Sequence, residues 1–504
     1  KGGANVKEAA ARALGKLGVD PATPLDAAWY DLATKYYYNR ASVAADNRNP
    51  NAYVWYWDKS TAKLTKKDVA PVLFGRIMAM RSAEFSLESS NSASPQVADD
   101  ALALWLAANY KRQTDVPEGA VDATRAEGQP DANYYGVASG SKYLSMALDR
   151  AIKDRTSPVA FHVLRSMQQS VGRTNLDVSS ESAPVIQAMS YPDRAVRYEA
   201  AIALAEARPT TAYTGSDSVV PLLGEAVSQT GKPTVLMLMD NATAINSNKP
   251  ALEAAGYSVS GASTAGELAV LAGDLPAVDV VVISSKLSAE QIDAALSSVK
   301  GSLKLRGAAK VVLVDTNASQ FEDLKKSDSL YTTSLAGNPE ELAKAVEEAR
   351  AASGALPLDA DVATTYAIRA ATVMRELALA GGIYKLDPVK STLLAAIADE
   401  RTDVVAAVAD VLAEYDDADA QKRLLARAVD TNVPSEQRVA LFEALAGNAK
   451  NFGNKLDAAE LEKLEKAVTD EVDLAVRSAA AEARGGLGLS ADKAKSIIIK
   501  QATR

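Results

Sequence analysis

The run Val278–Ser284 (VDVVVIS) constrains the fold more than any other stretch of this chain. It is β-branched and almost wholly apolar, as expected of a strand covered on both faces in a parallel sheet. A parallel strand reaches its neighbour through a crossover, usually a helix. The flanking sequence supplies such crossovers. Thr234–Met239 (TVLMLM) reads as a strand after Gly231-Lys232-Pro233, and Lys249–Gly256 as the end of a helix stopped by Gly256. Tyr257–Ser260 reads as a strand and Ala265–Ala272 as a helix. Ala289–Val299 reads as a helix, Lys310–Val314 (KVVLV) as a strand, Leu330–Thr333 as a fifth strand and Pro339–Arg350 as a closing helix. This alternation over residues 232–350 predicts an α/β domain with a doubly wound parallel sheet.

On either side the sequence reads as helix. Val6–Gly18, Val196–Arg208, Val405–Glu414, Gln437–Ala446 and Val476–Gly488 repeat one form: a valine, small alanines at helical spacing, then leucine or glycine. Asp193 stands three residues before Val196 and Asp473 three before Val476. An aspartate there suits the exposed N–H groups of a helix start. Five such phrases predict stacked helical repeats. The chain is therefore read as an N-terminal helical domain (1–231), the α/β domain (232–350) and a C-terminal helical array (351–504).

Residues 26–113 differ in texture. Asp26–Val43 reads as a tyrosine-rich helix, and Lys67–Phe85 and Val97–Tyr110 as further helices. Between them Ala52–Asp58 (AYVWYWD) alternates Tyr53, Trp55 and Trp57. In an extended strand such residues share one face. Asp58-Lys59-Ser60 predicts a turn into a short hairpin ending near Leu64. An exposed row of this kind can stack on a sugar or anchor a peptide, and a buried one closes a helical core. Thr114–Tyr134 is polar and rich in Gly and Pro, as expected of a surface loop or partner-binding segment.

Composition narrows the chemistry. The 504 residues carry a formal net charge of −9, and no basic stripe offers to neutralise a nucleic-acid backbone. There is no cysteine, which excludes disulfides and thiolate metal sites and is expected of an envelope or extracellular setting. The one histidine, His162, lies in an apolar helix phrase and is read as structural. No apolar run approaches the ~20 residues of a membrane span. The sequence contains no GxSxG, HExxH or Walker A pattern. The chain begins at Lys1 without a methionine, as expected of a processed product whose targeting segment came before it.

The α/β stretch resembles a response-regulator receiver domain. The likeness rests on its strand order, the phrase GYSVSGASTAGELAVLAG, VDVVVIS and the final NPEELAKAVEEA. It implies an acidic Mg²⁺-holding pair after the first strand, an acceptor Asp ending the third, a hydroxyl after the fourth and a Lys after the fifth. Asp240 matches one acid, but its neighbour is Asn241; the acceptor position falls on Ser284, and Thr316, beside Asp315, stands at the hydroxyl position. No lysine follows in YTTSLAG. A lone carboxylate is a poor Mg²⁺ site, and a serine cannot form an acyl phosphate. The resemblance thus implies a degenerate receiver-like packing unit, with no metal or cofactor expected.

The helical phrases resemble a HEAT repeat. With ALWLAANYKRQTDVPEG, YPDRAVRYEAAIALAEARP and GSDSVVPLLGEAV, the whole is similar to large secreted HEAT-repeat proteins of planctomycete-type bacteria. The likeness implies an exported protein of the periplasm, the cell envelope or the outside of the cell, and no particular activity. The architecture itself, helical-repeat arms around a degenerate α/β domain, is read as a non-enzymatic scaffold binding other proteins or its own copies through a repeat face and the Tyr53–Trp57 row. The alternative is a regulatory module sensing a small anion or nucleotide near Asp240, Asn241 and Ser284.

Overall fold

A computed structural model describes residues 3–16, 20, 22–46, 48–90, 94–302, 304–305, 307–314, 331–335, 338–353, 356, 358–488, 495 and 498–499. The protein is mostly helical, with one α/β part. It divides into two compact units, essentially residues 1–177 and 186–504. The boundary drawn from the sequence after residue 231 falls inside the second unit.

The first unit holds α1 (Ala4–Lys16), α2 (Leu25–Tyr37), a hairpin of β1 (Ala52–Asp58) and β2 (Lys63–Val69), then α3 (Pro71–Ser89), α4 (Pro95–Thr114), α5 (Ala132–Ser139), α6 (Ser141–Lys153) and α7 (Ser157–Ser170). α2, α3 and α4 pack on one another, and α4 also packs on α5, α6 and α7. Gly75 permits the α2–α3 approach, since a Cβ there would lie 2.8 Å from the Tyr36 carbonyl oxygen. Two expectations need correction. The tyrosine-rich helix ends at Tyr37 rather than Val43, because Asn39 turns into the left-handed region at φ 48°. The helix expected from Lys67 starts at Pro71, whose ring presets the first helical turn. Lys67, Asp68 and Val69 instead complete β2, with Val69 opposite Ala52.

The second unit is built around α9 (Arg194–Ala207), which follows the short α8 (Pro184–Ala188). After it come α10 (Val219–Val227) and the sheet. β3 (Thr234–Leu238), β4 (Ser258–Ala262), β5 (Val280–Ser284), β6 (Ala309–Val314) and β7 (Tyr331–Leu335) are all parallel, in the order β4-β3-β5-β6-β7. Alternate strand residues face opposite layers. Leu236, Val281, Ile283 and Val312 meet α12 (Ala265–Asp274) and α13 (Ala289–Gly301). Val235, Met237, Val282 and Val311 meet α11 (Ala242–Ala254) and α14 (Pro339–Ala352).

Beyond the sheet, α15 (Ala360–Ala380), α17 (Thr402–Leu412), α19 (Ser435–Phe452) and α21 (Leu474–Gly486) follow α10, each packed on the one before. Between them run α16 (Lys390–Ala396), α18 (Ala418–Ala428) and α20 (Ala458–Asp470). Buried side chains lock the turns. Asn448 donates to the carbonyls of Leu412, Ala413 and Tyr415 and accepts from Gln421 at 2.8 Å. Asp193 and Asp473 cap α9 and α21 through backbone N–H bonds, as their sequence positions predict. Among the described residues no helix is long and apolar enough to cross a membrane.

Candidate functional site

The β1–β2 hairpin gathers the most distinctive surface on the described part of the chain. Its turn is set by Asp58, which accepts from the Ser60 backbone N–H at 2.8 Å and from the hydroxyls of Ser60 and Thr61 at 2.7 Å each. These bonds, those of the two hydroxyls foremost, hold the Asp58 carboxyl down to about 2. Ala62 closes the turn in the left-handed region at φ 52°.

The strand period then sorts the side chains. Ala52 and Val54 point inward, onto Val69, Leu73 and Ile77, with Tyr56, Phe74 and Val116 packed at the margin. Arg81 of α3 reaches up to this side. Its guanidinium lies 4.8 Å from the Tyr56 ring centre and donates to the Trp55 carbonyl at 3.0 Å.

The opposite face carries Tyr53, Trp55 and Trp57, across from Asp68, Lys66 and Leu64. Trp55 is 53% exposed, Trp57 59% and Leu64 64%. Tyr53 is half-buried, with the Lys66 ammonium 3.7 Å from its ring centre. So the three aromatic residues singled out in the sequence do share a face, and that face is open rather than closing a core. Leu64 and Lys66 on this face, and Arg81 on the packed side, were not singled out as site residues in the sequence. Leu64 and Lys66 become visible only through the register, and Arg81 through the packing of α3.

Beside the hairpin the 115–127 loop forms a groove of about 510 Å³, lined by Val116, Ala120, Val121, Asp122 and Arg125 among others. Lys67 donates to the Ala123 carbonyl at 2.8 Å and ties loop to strand. Burial pushes the Asp122 carboxyl up, but hydrogen bonds from Arg112 and Thr124 outweigh it and keep the carboxyl below its ordinary value.

The other candidate residues stand at the carboxyl ends of the sheet strands. Asp240 and Asn241 follow β3 and are exposed. The Asn241 amide donates to Asp240 at 2.7 Å, and its oxygen accepts from Ala244 N–H at 2.8 Å, capping α11. Ser284 ends β5, is buried, and its Oγ accepts from Lys286 N–H at 3.2 Å. Thr316 and Asp315 lie outside the described residues. Among the described residues no three His, Cys, Asp or Glu side chains cluster as metal ligands would. His162 sits half-buried on α7, its ring centre 5.2 Å from that of Phe161.

Comparisons with protein families, with curated proteins and with solved structures find no match.

Proposed function

We propose that this chain is a non-enzymatic scaffold that assembles with other proteins, copies of itself included, in an envelope or extracellular setting. The observation that carries this reading is the outer face of the hairpin, where two tryptophans and a leucine stand together uncovered. Tryptophan is costly to leave in water and is enriched among residues that dominate interfaces. The inner face of the same strand is packed, so the hairpin keeps its outer row ordered without a partner.

The series α10, α15, α17, α19 and α21, each on the one before, is read as HEAT-like repeats. Small alanines along it and the aspartate caps of α15 and α21, Asp359 and Asp473, support that reading. The parallel sheet is read as receiver-like and as a packing unit. Its strand order favours this. Asn241 is committed to capping α11, and the Ser284 hydroxyl is buried against its own turn, which argues against a phosphoryl or anion-sensing role there.

The test is the native mass of the protein taken from its own cells, by light scattering with mass spectrometry of what accompanies it. A defined complex that dissolves in the Trp55→Ala/Trp57→Ala variant is expected. A clean monomer, or a complex indifferent to both substitutions, would overturn the reading.

A further inference from the structure

We propose that the free edge of β2 receives an extended, acidic segment of a partner polypeptide as a third strand of the hairpin sheet. This rests on the interaction reading above and names the chemistry of the partner.

The backbone supplies the first argument. Among the described residues β2 pairs only with β1, and residues 63–68 are all exposed. An unpaired edge presents N–H and C=O groups that an extended peptide can satisfy. The outer side of β1 is less available, because Arg81 already occupies the Trp55 carbonyl.

Charge supplies the second. In a chain of net charge −9, residues 52–69 hold Lys59, Lys63, Lys66 and Lys67 against Asp58 and Asp68. Asp58 is engaged in the turn. Asp68 lies 3.7 Å from Lys66, and Lys59 and Lys63 form no ion pair among the described residues. A strand laid along β2 meets Lys66, exposed though beside Asp68, on one face, and Lys63 and Lys67, the latter bonded to the Ala123 carbonyl, on the other. Acidic side chains of either parity therefore find a lysine. The same lysines repel a second β2 edge, which disfavours edge-to-edge pairing of two copies.

The layout of the hairpin favours a polypeptide over a membrane. The tip of the hairpin, Asp58 to Ala62, is polar, whereas the apolar row runs along the strand behind it. A bilayer would meet the polar tip first. The row spacing, two residues of strand or roughly 7 Å, is instead that of side chains on one face of an extended chain. The adjoining groove shares Val116 with the hairpin core and continues the surface beyond the strand.

The probes are a capped peptide alternating Glu and Val, its Lys–Val counterpart, and phosphatidylglycerol vesicles. Each is titrated into the full chain and followed by tryptophan fluorescence, with circular dichroism as a check on folding. The Glu–Val peptide is expected to bind and the Lys–Val peptide not. The Lys63→Glu/Lys66→Glu variant should weaken the first by about ten-fold or more and gain affinity for the second. Raising salt from about 50 to about 300 mM should weaken the Glu–Val complex. Equal binding of both peptides, binding of neither, binding of vesicles alone, or indifference to charge reversal would each overturn the proposal. If the native partner is lost in Trp55→Ala/Trp57→Ala but kept in Lys63→Glu/Lys66→Glu, the scaffold reading stands and strand addition falls.

Discussion

Helix α9 and the β1–β2 hairpin invert the usual placement of side chains, in opposite senses. α9 buries charge: Arg194, Arg197 and Glu199 are all covered, as is its cap Asp193. The hairpin exposes tryptophan. Each of these buried charges has a task inside the fold. Arg194 pairs with Asp279 at 3.1 Å and donates to Gln229 at 2.6 Å. Arg197 donates to the carbonyls of Tyr191 and Pro192 and pairs with Glu225 at 3.2 Å. Glu199 accepts from Tyr366 and from both terminal nitrogens of Arg369. Those partners come from α10, the sheet and α15, so α9 fixes how the sheet meets the helices. The outer aromatic row of the hairpin has no comparable set of partners. Buried charge in this protein therefore marks architecture, and exposed aromatic surface marks the place left for something else.

The largest effect should come from breaking an α9 pair from one side. Arg197 and Glu225 have side chains only 3% and 2% exposed, and Tyr198 donates to the same carboxylate at 2.8 Å. Glu225→Ala strands a buried guanidinium and a buried phenol, and should cost about 3–5 kcal/mol in urea unfolding. A cost below about 1 kcal/mol would mean that water replaces the carboxylate, and that the contrast with the hairpin is overstated.

Next in size is Gly231→Ala. Gly231 lies at φ 81°, and a Cβ there would stand 2.6 Å from the Ala360 nitrogen, at the start of α15. Left-handed strain and a backbone clash together predict a loss of about 1–3 kcal/mol or more. The same unfolding curve reads it. An unchanged midpoint would show that this junction gives way, and that α9 alone sets the sheet against the helices.

How much of this was legible follows from the range of the forces involved. The parallel strands were readable because a strand covered on both faces must be apolar throughout, as Val280–Ile283 is. The caps Asp193 and Asp473 were readable because a cap acts on N–H groups two or three residues away. The shared face of Tyr53, Trp55 and Trp57 followed from strand period alone. Its exposure did not, since whether a face is covered depends on residues far along the chain. The true extent of β2 was hidden for a related reason. Lys63–Val69 has exposed residues on both faces except Val69, so no alternation betrays it, and only pairing with β1 makes it a strand. The α9 network was equally invisible, because Glu225, Asp279 and Arg369 reach it from distant segments.

Alkali should sharpen the contrast between buried and open aromatics. Burial pushes the Tyr110 phenol up to about 12, against a hydrogen bond with Ser166. A phenol whose folded value is raised binds its proton more tightly in the native state. Its contribution is present below the ordinary value near 10 and is lost as pH climbs through about 12. The first unit should therefore lose stability across that window, with phenolate absorbance appearing together with loss of helix. Tyr110→Phe should flatten part of that pH dependence. If ionisation proceeds with the helical signal intact, Tyr110 is reached by solvent in the native state and the distinction from the hairpin weakens.

The smallest effect on folding should come from the hairpin itself. Trp55 and Trp57 contribute their rings to solvent rather than to the packed side of β1. Trp55→Ser and Trp57→Ser should each leave the unfolding free energy within about 0.5 kcal/mol of the parent, as substitutions at exposed positions generally do. Removing exposed aromatic area should also leave the protein less prone to nonspecific association. Val54→Ser is the matching control. Val54 is one residue away but fully buried beneath the hairpin, and its loss should cost roughly 1–3 kcal/mol. Neighbouring positions on one strand would then differ several-fold in their effect on folding, in the opposite order to their effect on assembly. If the tryptophans instead prove as costly to replace as Val54, their rings are packed in solution and the outer face cannot be the surface left open for a partner.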